Sequence, residues 1–136
     1  MLTVPDGWMS RPLSHCAEWL SGGTPSKSRP DYWDGDIPWI SAKSLSKDRF
    51  FVSDSDLRVT ELGARNGTRL VPAGTILFVV RGMSLKTEFR LAVCSRPVTF
   101  NQDLKALVAK ADLDSRFLAY SILAQSDAIL GLVDEA

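Results

Sequence analysis

The chain has 136 residues, 45% of them hydrophobic and 24% charged, with 16 Lys/Arg against 16 Asp/Glu and a single His. That length and mix describe one ordinary globular domain, able to bury a core without metals or disulfides. No apolar run approaches a bilayer span, and the start MLTVPDGWMSRP lacks the basic end and apolar stretch of a signal peptide, so the expectation is a cytoplasmic protein with no membrane partner.

Along the chain, Pro12 to Leu20 places Leu13, Cys16, Ala17 and Leu20 at helical spacing, and Ser21-Gly22-Gly23 ends that helix. The stretch SGGTPSKSRPDYWDGDIPWIS, Ser21 to Ser41, crowds glycines and prolines against Tyr32, Trp33 and Trp39 and reads as an extended connection. Within it, Ile37 to Ile40 predicts a short strand, at an edge because Pro38 has no N–H to give a ladder. Thr60 to Asn66 predicts a short helix capped by Thr60 and stopped at Asn66-Gly67. A turn at Pro72-Ala73-Gly74 leads into Thr75 to Val80, apolar enough throughout for a central strand. Arg90 to Cys94 and Lys105 to Val108 are further strands. Asp114 to Ala128 closes the chain as a helix, with Asp114 or Ser115 at its cap. The expected fold class is α+β: a single compact domain with a twisted mixed or antiparallel sheet of short strands, an N-terminal helix and a closing C-terminal helix.

Chemistry is hard to find. There is no P-loop, no dinucleotide fingerprint, no nucleophile elbow and no paired-histidine metal motif. His15 and Cys16 are adjacent, which on a helix points them apart, and the same two with Cys94 make no zinc set. Both cysteines are expected to be reduced and buried. The pairs Asp34/Asp36 and Asp54/Asp56 lie in turn-like surroundings, where carboxylates cap turns. We therefore expect no catalytic residue, no cofactor and no metal. The neutral total conceals segregation: residues 43–105 carry 11 Lys/Arg against 6 Asp/Glu, whereas the segments on both sides are acidic. A basic face that suits phosphate backbones and a solvated surface of mixed sign are equally compatible with this.

Three collinear blocks carry more. They are Trp8 with Ser21 to Ser41, then VTELGARNGTRLVPAGTILFVVRG from Val59 to Gly82, then FNQDLKAL from Phe100 to Leu107. Together they resemble the target recognition domain of type I restriction-modification DNA specificity subunits, over roughly Gly7 to Leu123. The resemblance implies a module without chemistry of its own that reads one half of a split duplex-DNA target. It also implies docking to a methyltransferase (modification) subunit, and in the full complex to a restriction subunit. We expect residues 1–136 to form one such domain, with the family's spacer helix and second recognition domain absent. Two copies could then pair as a homodimer.

DNA reading needs cations for phosphates and planar or polar groups for base edges. Arg81 is the leading candidate, at the end of the strongest strand, with salt bridging to Asp103 as its structural alternative. Ser84 and Lys86 in the loop after it, Lys43 and Lys47 after the Trp39 strand, and Arg90 follow, with Lys27 and Arg29 touching phosphate at most. Gly22, Gly23, Thr24, Pro25, Asn101 and Gln102 belong to the family pattern and are read as structural. Trp33 and Trp39 are read as core that pins an irregular loop, since duplex bases stay stacked and offer rings little to stack on. The rival readings are a protein-interaction module that docks or modulates the methyltransferase, and a sugar platform built on Tyr32, Trp33 and Asp34.

Overall fold

In the computed structural model, which describes residues 17–46, 48–81, 89–110 and 114–124, the elements in chain order are β1 (Ala17–Ser21), β2 (Trp33–Ile40), β3 (Phe51–Val52), β4 (Leu57–Val59), α1 (Glu61–Ala64), β5 (Ile76–Val79), β6 (Leu91–Cys94), β7 (Thr99–Phe100), β8 (Leu104–Ala109) and α2 (Ser115–Leu123). Short 3₁₀ turns occupy Pro30–Tyr32 and Ala42–Ser44. The class is α+β as expected, but the strands form two sheets where one was expected. One has the order β1-β8-β5-β6-β3 and the other β4-β2-β7. Each is mixed, with β3 parallel to β6 and β2 parallel to β7 among otherwise antiparallel neighbours.

The central strand explains the layering. β5 is buried at every position, and its alternation sends Ile76 and Phe78 to one face and Leu77 and Val79 to the other. The first face packs under α2 through Leu118, Ala119 and Ile122. The second packs with Ile40 from β2, Phe100 from β7 and Val98 just before β7. A sheet covered on both sides produces the unbroken apolar run seen in the sequence.

Two expectations fail for tertiary reasons. The helix expected over 12–20 is corrected where it is described: Ala17 to Leu20 lie in β1, paired from Ala17↔Ala109 to Ser21↔Lys105 along β8. The local period suits a helix, but the open flank of β8 gives this segment a full backbone ladder and buries Ala17 to 2% exposure. His15, Cys16 and the rest of that helix fall outside the described residues. The edge position for Ile37 to Ile40 is the second correction, since β2 is the middle strand of its sheet. Proline is accommodated there because Trp39 N–H faces the β4 side, bonded to Ser55 Oγ at 3.0 Å. Alternation then turns the Pro38 nitrogen to the other side, where pairing with β7 begins one residue later at Trp39↔Thr99.

The turn chemistry holds. Thr60 Oγ1 accepts from Gly63 N at 3.1 Å to cap α1, and Gly67 and Gly74 take the positive φ values of 96° and 89° expected of turn glycines. Asp114, of the two candidate caps, closes α2 by accepting from Arg116 N and Phe117 N at 2.8 and 3.4 Å.

Candidate nucleic-acid interface

The three sequence blocks converge on one place. Gly23 N donates to Phe100 O at 3.0 Å, and Thr68 Oγ1 donates to the same oxygen at 2.8 Å. A Cβ on Gly22 would run into the carbonyls of Phe100 and Asn101, and one on Gly23 into the carbonyl of Gly67. The glycine pair is thus a requirement of close backbone approach. Thr24 Oγ1 donates to Gln102 Oε1 at 2.7 Å, and Pro25 is buried against Gly67. Asn101 Oδ1 accepts from Asp103 N at 3.1 Å, while its backbone N–H donates to Ile40 O at 3.0 Å.

On that junction sit the two tryptophans. Trp39 is 6% exposed, and its Nε1 donates to Gly23 O at 3.1 Å. Trp33 meets it edge-on at 5.2 Å and donates to Ser26 O at 3.1 Å. Both rings pin the 21–41 connection, as read from the sequence, and Lys27 Nζ lies 5.6 Å from the centre of each.

Beside this corner opens a cleft of about 510 Å³, lined by Lys27, Trp39, Lys43 and Arg49, by Ser41, Ser44, Ser55 and Asn101, and by Asp54, Asp56 and Leu57. Its electrostatics follow from which charges are already engaged. Arg58 forks onto Asp54 through two bonds of 3.1 and 2.6 Å, which with the Ser55 N–H holds the Asp54 carboxyl below its usual range. Away from the cleft, Arg65 pairs with Glu61 at 3.7 Å, and Arg96 donates to Asp36 O at 3.1 Å. By contrast, Lys27, Lys43 and Arg49 have no ion pair among the described residues. These three line the cleft together, whereas Arg69 and Lys110, also without an ion pair among the described residues, lie outside it.

The candidate residues divide accordingly. Lys27 and Lys43 enter the cleft. Arg29 is exposed but forked onto Asp31 at 3.0 and 2.7 Å and laid over Tyr32 at 4.6 Å. The hydrogen bond between them raises the Arg29 value and lowers that of Asp31. Arg81 takes its structural alternative, donating to Gln102 O at 2.6 Å and approaching Asp103 at 3.9 Å, although its side chain stays 63% exposed. Arg90 is half-buried and donates to Ala42 O at 3.2 Å, which steadies the turn that presents Lys43. Lys47, Ser84 and Lys86 lie outside the described residues. Arg49 and Asp56 were missed. Arg49 was legible only as one charge within a basic segment, and Asp56 only as a turn carboxylate.

Among the described residues no group of His, Cys, Asp or Glu could hold a metal ion, and no helix is long and apolar enough to cross a membrane. Cys94 is a free, buried thiol pushed by burial to about 12.

Comparison with known proteins gives consistent results. The profile of the type I restriction modification DNA specificity domain matches residues 5–133. Over 120 residues the chain is 34% identical to the specificity subunit of the Escherichia coli type I restriction enzyme EcoR124I/EcoR124II, covering 87% of this chain and 29% of that one. It is 30% identical over 119 residues to the MjaIX specificity subunit of Methanocaldococcus jannaschii, covering 86% and 27%. The chain thus spans less than a third of the length of these relatives. The fold matches the crystal structure of the HsdS subunit from Thermoanaerobacter tengcongensis with a TM-score of 0.71 at 15% identity, over 93% of this chain and 30% of that one.

Proposed function

The chain belongs to the type I restriction-modification DNA specificity family, and from that premise we propose that it is a non-catalytic, sequence-specific duplex-DNA-binding module. In this reading it recognises one half of a bipartite target on behalf of a methyltransferase complex. The observation that carries the proposal is the cleft that Lys27, Lys43 and Arg49, free of ion pairs among the described residues, line together with Ser41, Ser44, Ser55 and Asn101. Unpaired cations beside donors and acceptors are what phosphate neutralisation and base reading jointly require. The cleft has the volume of a small-ligand pocket and is far too small to enclose a duplex. DNA would therefore lie across its rim, phosphates against the cations and groove edges against the polar side chains. The exposed Arg81 and Arg29 are proposed as further contacts, as are Lys47, Ser84 and Lys86 on the strength of the sequence alone, while Arg90 steadies the turn that carries Lys43.

Selection of bound sequences from random duplexes tests this directly. The expected result is a short preferred sequence and an affinity that falls steeply with salt. Weak, sequence-blind binding at every salt would sink the proposal. A selected site built as two symmetric halves would point to two copies of the chain.

A protein-docking role is favoured by a separate observation. Phe51 and Tyr120 are 51% and 61% exposed, and Phe50 stacks between β3 and α2 against Tyr120 at 4.4 Å. Co-purification with a methyltransferase, lost on Tyr120→Asp while DNA selection is unchanged, would assign that role to this surface.

A further inference from the structure

We propose that Asp56 is a base-reading residue that selects cytosine through its exocyclic amino group, an inference that rests on the DNA-binding reading above. The cleft carries two carboxylates in different circumstances. Asp54 is consumed by the Arg58 fork and by the N–H of Ser55 at 2.8 Å, so its place is structural. Asp56 is exposed, lines the same cleft and makes no hydrogen bond or ion pair among the described residues. It caps no turn and answers none of the three cations.

Such a group weakens phosphate binding. A free carboxylate among Lys27, Lys43 and Arg49 repels the DNA backbone whatever the sequence. What it offers instead is an acceptor with no donor, unlike the lysines, arginine, serines and asparagine around it. In the major groove the amino group of cytosine answers such an acceptor, whereas the acceptor atoms of guanine and the carbonyl of thymine oppose it. Adenine supplies an amino group beside an acceptor, which suits a side-chain amide better than a carboxylate.

Readout also needs rigidity, and the flanking residues provide it. Ser55 Oγ accepts from Trp39 N at 3.0 Å and donates to Leu57 O at 2.5 Å, which ties the bend to β2 and β4. With the Asp54–Arg58 fork on the other side, the backbone that carries Asp56 is held on both flanks while its carboxylate is left free. A backbone held in this way limits the positions the carboxylate can reach, and so favours one base edge over another.

The test is selection from random duplexes with the full chain as wild type, Asp56→Asn and Asp56→Ala, each checked for an unchanged thermal unfolding curve. The expected result is a cytosine position in the wild-type site that shifts to adenine in Asp56→Asn and becomes indifferent in Asp56→Ala, with the other positions kept. The preference at that position should be on the order of tenfold. Both variants should bind random DNA more tightly than the wild type at low salt, since a repulsion is removed. Independently of any variant, a duplex carrying a cytosine analogue without the 4-amino group at that position should lose the same tenfold with the wild-type chain. An identical selected sequence in all three proteins, or indifference to the analogue, overturns the assignment of Asp56 alone. A wild type with no sequence preference overturns the DNA-reading proposal and this one with it.

Discussion

Thr75 and Cys94 are buried neighbours in the same cluster of strands, yet the polar atom of each has a different consequence. Thr75 is almost fully buried, and its Oγ1 has no hydrogen-bond partner among the described residues. A buried hydroxyl without a partner carries a desolvation cost that an isosteric methyl would avoid. Thr75→Val should therefore raise stability by about 1 kcal/mol, read as a higher denaturant midpoint at unchanged slope. The Cys94 thiol is raised by burial from an ordinary value of 9.0 to about 12. Because the folded value is the higher, this thiol does not disfavour folding below pH 9. As the pH rises from 9 towards 12, the unfolded chain gains the thiolate and the native state loses stability. In a Cys16→Ser background, Cys94 should resist a thiol reagent at pH 8 until the protein is unfolded, and alkaline destabilisation should weaken in Cys94→Ala. Some residue roles were legible from chemistry alone: two tryptophans amid glycines and prolines had to pack on something, and they pack on each other. Arg49 and Asp56 were not legible, because a free charge is recognised only once the partners of every other charge are known.

Helices and strands were readable in proportion to how local their causes are. The caps at Thr60 and Asp114 depend on residues within one turn, and both form as the sequence suggested. Asp114 is held below its ordinary 3.8 chiefly by the amides of Arg116 and Phe117. A lowered carboxyl stabilises the fold above its unfolded value and loses that contribution as the pH falls through the folded one. Asp114→Ala should accordingly lower the melting temperature at pH 7, and the difference from wild type should close as the pH falls below 3.8. β1 was misread because its apolar spacing fits a helix and only β8, more than eighty residues later, makes it a strand. The start of β2 was likewise read as loop. Its register slips between Trp33 and Ile37, both of which pair with Val59, so Asp34 to Asp36 bulge out, with Asp34 at φ 64°.

Across the whole molecule, the layers meet at Phe100, which is fully buried between the sheets and whose carbonyl receives Gly23 and Thr68. Phe100→Ala should cost about 3–5 kcal/mol, a large share of what a domain of this size has, and should be seen as loss of the cooperative melting transition near ambient temperature. The cleft is a property of the same scale. Replacing Lys27, Lys43 or Arg49 singly by Gln should weaken binding to all duplexes about equally and reduce the salt dependence by about one unit of slope per lost phosphate contact. A cation that only decorates the surface would leave that slope unchanged.

By itself the sequence determined what neighbours along the chain decide: the central strand, the capped helices, the turn glycines, the tryptophan pins and the family. Tertiary structure decided which strands pair, that there are two sheets, and that Lys27, Lys43, Arg49 and Asp56 face one cleft. The division follows from distance. Capping and turn formation are set by groups a few bonds apart, whereas a β partner or an unmatched charge is defined by residues far along the chain, and its energy exists only once the fold has brought them together.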